Sequence, residues 1–122
     1  MMFAIKKKKV GGTDDRWLAS RHGVENAKTV TLAAAGFPQA TDKIVKSGTP
    51  VEYDTTGKVV AYGGTKPLAG FILNDCDLKD GDEVAPMLWH GAIDCNHLPV
   101  AGFTPPAAAG QFVFFNAPGG NN

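Results

Sequence analysis

Cysteine is scarce in this chain: Cys76 and Cys95 are the only two. A secreted scaffold stapled by disulfides needs more, so the pair points to reduced, half-buried thiols and synthesis in a cytoplasm. Long apolar runs are missing too. No stretch approaches the ~20 residues of a transmembrane helix, and no membrane is expected as a partner. Met1-Met2-Phe3-Ala4-Ile5 is too short for the apolar region of a secretory signal, and its lysines follow rather than precede it. Walker-type and dinucleotide loops are absent, since Gly63-Gly64-Thr65-Lys66 is too short to cradle a phosphate. Strong helix signals are also few.

What is abundant is Gly and Pro, 15 and 8 in 122 residues. A chain of this length is one domain and can bury a core without metal or disulfide staples. The Gly/Pro content favours short strands and turns, so a mainly β fold is expected. Formal net charge is zero, but residues 1–50 hold nine Lys/Arg against four Asp/Glu, and residues 51–122 hold three against eight. A basic front and an acidic back suit contact with charged surfaces or with other copies of the chain.

Residues 1–22 read as an arm. An apolar start, the run Lys6 to Lys9 and Gly11-Gly12 all resist regular structure. Asp14 would cap one helical turn carrying Trp17 and Leu18, and Gly23 would end it. Ala27 to Leu32 alternates as a half-buried strand, and Lys43 to Lys46 is a second candidate. Ser47-Gly48-Thr49-Pro50 is a turn. Val51 to Asp54 and Lys58 to Tyr62 form two strands joined by a Gly-containing loop. Leu68 to Leu73 is a central core strand, in which Gly70 marks a bulge or a close backbone approach. Val84 to Ile93 is a strand pair or a bent strand, and Gln111 to Phe115 a last strand. Residues 117–122 are a Gly/Asn tail.

The search for chemistry returns little. Cys76, His90, Cys95 and His97 are types that zinc accepts, but only Cys95 and His97 stand close together. They motivate a rival reading as a cysteine- or zinc-dependent hydrolase, yet no nucleophile elbow surrounds either cysteine. The acidic run Asp75, Asp77, Asp80, Asp82 and Glu83 lacks the spacing of an EF-hand loop. Four consecutive lysines alone do not make a nucleic-acid face. No metal, no cofactor, no nucleic acid and no catalysis are expected. Among the large side chains, Tyr62, Phe71, Trp89 and Phe103 suit a core. Trp17, beside Arg16 and Arg21, suits an interface anchor.

The order of segments carries further information. Thr49-Pro50 leads a strand, Asp54-Thr55 a turn, and Lys58 a strand ending Val60-Ala61-Tyr62, followed by the loop Gly63-Gly64-Thr65. The apolar run Leu68 to Leu73 and the step Leu88-Trp89 come next. This order resembles the lambda-type head decoration proteins of tailed phages. With Trp17-Leu18, Ser20-Arg21-His22-Gly23, Trp89-His90-Gly91 and Leu98-Pro99, it is similar also to the short decoration proteins of actinobacterial phages. The resemblance covers residues 16–99; the basic start and the Phe-rich last strand depart from it.

The resemblance implies a small β-tulip or β-clip-like barrel with at most one or two short helices and an extended N-terminal arm. It would sit as a homotrimer on the outer surface of the capsid in the virion, with the major capsid protein as partner. Its work would be mechanical: cementing the shell against internal DNA pressure. The expected division is a flexible capsid-binding arm (1–22), a β decoration domain (23–116) and a disordered tail (117–122). Arg16, Trp17, Leu18, Arg21 and His22 are candidate capsid contacts of the arm. Pro50, Tyr62, Trp89 and His90 are candidates for the trimer or capsid interface. The alternative is a virion-displayed carbohydrate- or receptor-binding module, motivated by the aromatic side chains around Trp89 and Tyr62.

Overall fold

Alternation of apolar and polar residues sets the first strand, β1 (Lys28–Leu32): Val30 and Leu32 are buried, while Lys28 and Thr29 face solvent. The computed structural model describes residues 15–38, 40–100, 103–106 and 110–116. The expected Asp14 cap, the lysine run and the 117–122 tail lie outside the described residues.

The strands that follow are β2 (Ile44–Val45), β3 (Pro50–Tyr53), β4 (Val59–Ala61), β5 (Gly70–Ile72), β6 (Cys76–Asp77), β7 (Glu83–Leu88), β8 (Gly91–Asp94) and β9 (Phe112–Phe115). Five of them form a ring in the order β1-β4-β3-β5-β7. The long seam is β1 against β7, antiparallel over five residue pairs from Lys28–Met87 to Leu32–Glu83. The short seam is a single parallel pair, Leu32 with Val59, extended by the Ala33 N–H donating to the Val59 carbonyl at 3.0 Å. The fold is therefore a small, mainly β domain whose ring closes at a narrow point. The helical content among the described residues is four 3-10 turns of three residues each, against the one or two short helices expected. Short polar or small-residue connections between strands supply these extra turns without extending into helices.

The expected hairpin is present. β3 and β4 pair antiparallel through Val51–Ala61, Glu52–Val60 and Tyr53–Val59. Its turn is held by one carboxylate: Asp54 Oδ1 accepts from the Thr56 N–H, the Thr56 hydroxyl and the Lys58 N–H at 2.8, 2.7 and 3.1 Å. This is the local side-chain bonding that makes Asp a turn residue. β5 is fully buried, as its apolar run implies. Gly70 marks a close approach: a Cβ there would run into the Leu88 carbonyl oxygen.

Val84 to Ile93 does not form a strand pair of its own. β7 belongs to the ring, between β1 and β5, whereas β8 pairs in parallel with β9 outside it. Two packed clusters result. One fills the ring, with Val30, Leu32, Val51, Val59, Ile72 and Met87. The second gathers Trp17, Phe71, Leu88, Ile93, Phe103 and Phe112 between the ring and the β8–β9 pair. Phe71 is its centre, with ring centroids 5.1 Å from Phe112, 5.7 Å from Trp17 and 5.8 Å from Phe103.

The described part of the expected arm is packed on this domain. Leu18 bridges Ile93, the Asp94 N–H donates to the Trp17 carbonyl at 2.7 Å, and the Ala19 N–H donates to the Ala92 carbonyl at 3.0 Å. Residues 17–19 thus run along the second edge of β8. The boundary placed between residues 22 and 23 is corrected: the folded domain includes residues 15–22. The physical reason is the apolar area of Trp17 and Leu18, which is gained only by packing. Gly23 does not end a helical turn; it precedes the 3-10 turn Val24–Asn26.

Candidate binding groove

The residues singled out in the sequence fall into three places. Trp17 is fully buried and stacks on Phe71. Its indole nitrogen donates to the Ser47 hydroxyl at 2.9 Å, and that hydroxyl donates to the Leu73 carbonyl at 2.8 Å. It is a core residue of the single chain, not an anchor presented to a partner. Leu18 is half-buried beside it. Arg16, Arg21 and His22 are exposed, and Arg21 forms an ion pair with Asp15 at 3.1 Å. Pro50 is buried in β3, the strand between β4 and β5, so its side chain is not presented at the surface.

Tyr62, Trp89 and His90 remain. Trp89 follows the last residue of β7, and its indole nitrogen donates to the Asn26 carbonyl at 2.7 Å. The only polar group of the side chain is thereby used inside the protein, and the part of the ring left in solvent is apolar. The ring stands edge-on to His90, centroids 4.3 Å apart, and His90 meets His22 at 5.3 Å. His90 Nε2 is buried with no hydrogen-bond partner among the described residues. Tyr62 follows β4 and packs on Phe103, centroids 5.9 Å apart.

Tyr62 and Trp89 come together in one groove of about 660 Å³, which Tyr53, Lys28 and Lys66 also line. Such a volume lies within the roughly 300–1,000 Å³ of small-ligand sites. Tyr53 is 40% exposed and Trp89 38% exposed. Neither Asp nor Glu is among the described residues that line the groove. It therefore presents aromatic surface and two ammonium groups with no carboxylate to neutralise them. The sequence marks Tyr62 and Trp89 as large side chains; Tyr53, Lys28 and Lys66 carry no such mark, because only strand pairing brings β1, β3 and the 63–69 loop to one mouth.

The other candidate chemistry is dispersed. Cys76 sits in the ring cluster, while Cys95 packs against the second cluster. Burial pushes both thiols above their ordinary pKa, and neighbouring carboxylates add to it. No group of three or more His, Cys, Asp or Glu able to hold a metal occurs among the described residues. The acidic run is divided among separate structural contacts. Asp75 Oδ1 accepts from the Ser47 N–H at 2.8 Å, and Asp77 Oδ1 from the Lys79 N–H at 2.9 Å. Asp82 accepts from the Ala34 N–H at 2.8 Å and from Lys58 Nζ at 2.6 Å. The Ala34 N–H and Lys58 together hold the Asp82 carboxyl below its ordinary pKa.

Comparison of the chain with family models finds no match, and comparison with curated proteins finds none.

Proposed function

We propose that this chain is a non-enzymatic capsid decoration protein, which binds the outside of a phage head as a homotrimer and stiffens the shell. The observation that carries the reading is the block Thr49 to Thr65. Its residue order resembles the decoration proteins, and it folds as a hairpin within the ring, with the Asp54 turn where that order puts it. A mechanical role also suits a core built on two apolar clusters. Such a role needs no reactive side chain; it needs a self-complementary surface and several weak contacts repeated by symmetry.

The attachment element under this reading is residues 1–14, not 1–22, because Trp17 belongs to the core. The test is DNA retention. DNA-filled heads lacking the protein should release DNA at a higher temperature once it is added, and the chain lacking residues 1–14 should give no such protection. An unchanged release temperature with the intact chain would refute the reading.

A second reading is favoured by one observation, the groove between Tyr53, Tyr62 and Trp89. On this reading the protein is a carbohydrate-binding module displayed on the virion.

A further inference from the structure

We propose that the groove takes an acidic saccharide, a pyranose bearing a carboxylate, with the aromatic rings holding the sugar and Lys28 and Lys66 reading the charge. The inference rests on the carbohydrate-binding reading and adds the ligand class and the residues that select it.

Three features of the groove converge. First, Trp89 and Tyr53 offer ring surface at 38% and 40% exposure. The face of an aromatic ring is electron-rich, and the C–H face of a pyranose is its electropositive complement. Trp89 is fixed for this by its bond to the Asn26 carbonyl, so little rotamer freedom is lost on binding. Second, Tyr53 and Tyr62 have no hydrogen-bond partner for their hydroxyls among the described residues. Phenolic hydroxyls both donate and accept, as sugar hydroxyls require. Third, the charge is one-sided. Lys28 and Lys66 line the groove, no Asp or Glu does, and neither lysine is in an ion pair among the described residues. An ammonium group is a point charge that favours an anionic ligand.

Single-stranded nucleic acid shares the need for rings and positive charge. It is disfavoured by the surroundings: residues 51–122, Lys66 of the groove included, hold three basic against eight acidic side chains, and a polyanion needs a basic track along its backbone. An acidic saccharide needs only the local pair of lysines.

The test is a glycan array of sialylated, uronate-containing and neutral oligosaccharides, followed by titration calorimetry of the best ligand against the intact chain. Binding of acidic glycans is expected, weakened about tenfold or more by Lys28→Gln/Lys66→Gln, in line with the loss of charge-assisted contacts. Tyr53→Ala, at an exposed site, should weaken binding of acidic and neutral sugars alike, with the circular dichroism spectrum unchanged. Equal binding of a glycan and its carboxyl-reduced form would overturn the lysine assignment and leave the sugar reading standing. Absence of binding to every glycan would overturn both. Tighter binding of an oligothymidylate than of any glycan would overturn the ligand class.

Discussion

The Trp17 indole nitrogen lies 2.9 Å from the Ser47 hydroxyl, which it reaches across thirty residues of sequence. Ser47 in turn donates to the Leu73 carbonyl at the end of β5. The contact ties the start of the folded domain to the ring, and it is buried at both ends. Trp17→Ala should cost about 3–5 kcal/mol, as expected for a large aromatic removed from a core. Ser47→Ala should cost about 1–3 kcal/mol by leaving the indole N–H unpaired. The double variant should fall short of the sum, because the two share one interaction. Urea denaturation measures all three. A Trp17→Ala loss below about 0.5 kcal/mol, the size of a surface effect, would return residues 15–22 to the arm.

Gly70 is the second position where the core leaves no room. A Cβ there would strike the Leu88 carbonyl oxygen and press on the Met87 side chain. The first contact is backbone, so β5 and β7 must separate. Gly70→Ala should therefore destabilise by about 1–3 kcal/mol, the usual range for overpacking. Gly57, whose added Cβ would meet nothing, is the control for crowding, although its positive φ of 90° adds a backbone cost of its own. Thermal melts check this: a Gly70→Ala loss below about 0.5 kcal/mol, the size of a surface effect, would remove the crowding argument.

Much of this architecture was legible in the chain, and the failures have physical causes. β1, β3, β4, β5 and β9 follow from alternation, apolar runs and turn residues, because those signals are local. Gly70 was legible as a bulge or a close approach, and the Leu88 carbonyl beside it decides for the close approach. Trp17 was not legible as core: its neighbours Arg16 and Arg21 are charged, and the partners that bury it, Phe71 and Ser47, are distant in sequence. β6 was hidden inside the acidic run, which reads as loop until its carboxylates are matched to Ser47, Lys79, Ala34 and Lys58. Of the groove, Tyr62 and Trp89 were named from the sequence; the lysines that give it a sign were not.

The pH dependence of stability should be shallow and acid-limited. Asp54 is held below the ordinary aspartate value of 3.8 first by the Thr56 hydroxyl, and Asp82 first by the Ala34 N–H. Asp94 is lowered mainly by the Asn116 side-chain amide. Carboxyls depressed in the fold contribute stability above 3.8, and they lose it as pH falls through their lower folded values. Lys58 is raised above 10.5, first by its hydrogen bond to Asp82. Its contribution is complete below 10.5 and is lost as pH rises through the higher folded value. Urea midpoints should form a plateau between these limits, and Asp54→Asn should lower the plateau and flatten its acid edge. An acid edge that Asp54→Asn leaves unchanged would contradict the turn assignment.

The thiols should react slowly. Burial raises both Cys76 and Cys95 above the ordinary value of 9.0, so little thiolate exists at neutral pH, and the thiolate is the nucleophile. Alkylation by iodoacetamide at pH 7 should be slow in the native protein and fast in urea, with Cys76 the slower of the two because it is buried. Rapid native labelling at Cys76 would show that the β2–β6 pair opens readily.

Attachment to a shell is the most direct test of the proposed function. Purified protein should be mixed with bare, expanded shells assembled from the major capsid protein of the same phage, and the shells sedimented. The account predicts saturable co-sedimentation, with a plateau copy number divisible by three, and loss of binding when residues 1–14 are removed. Protein that stays in the supernatant at every concentration would contradict it.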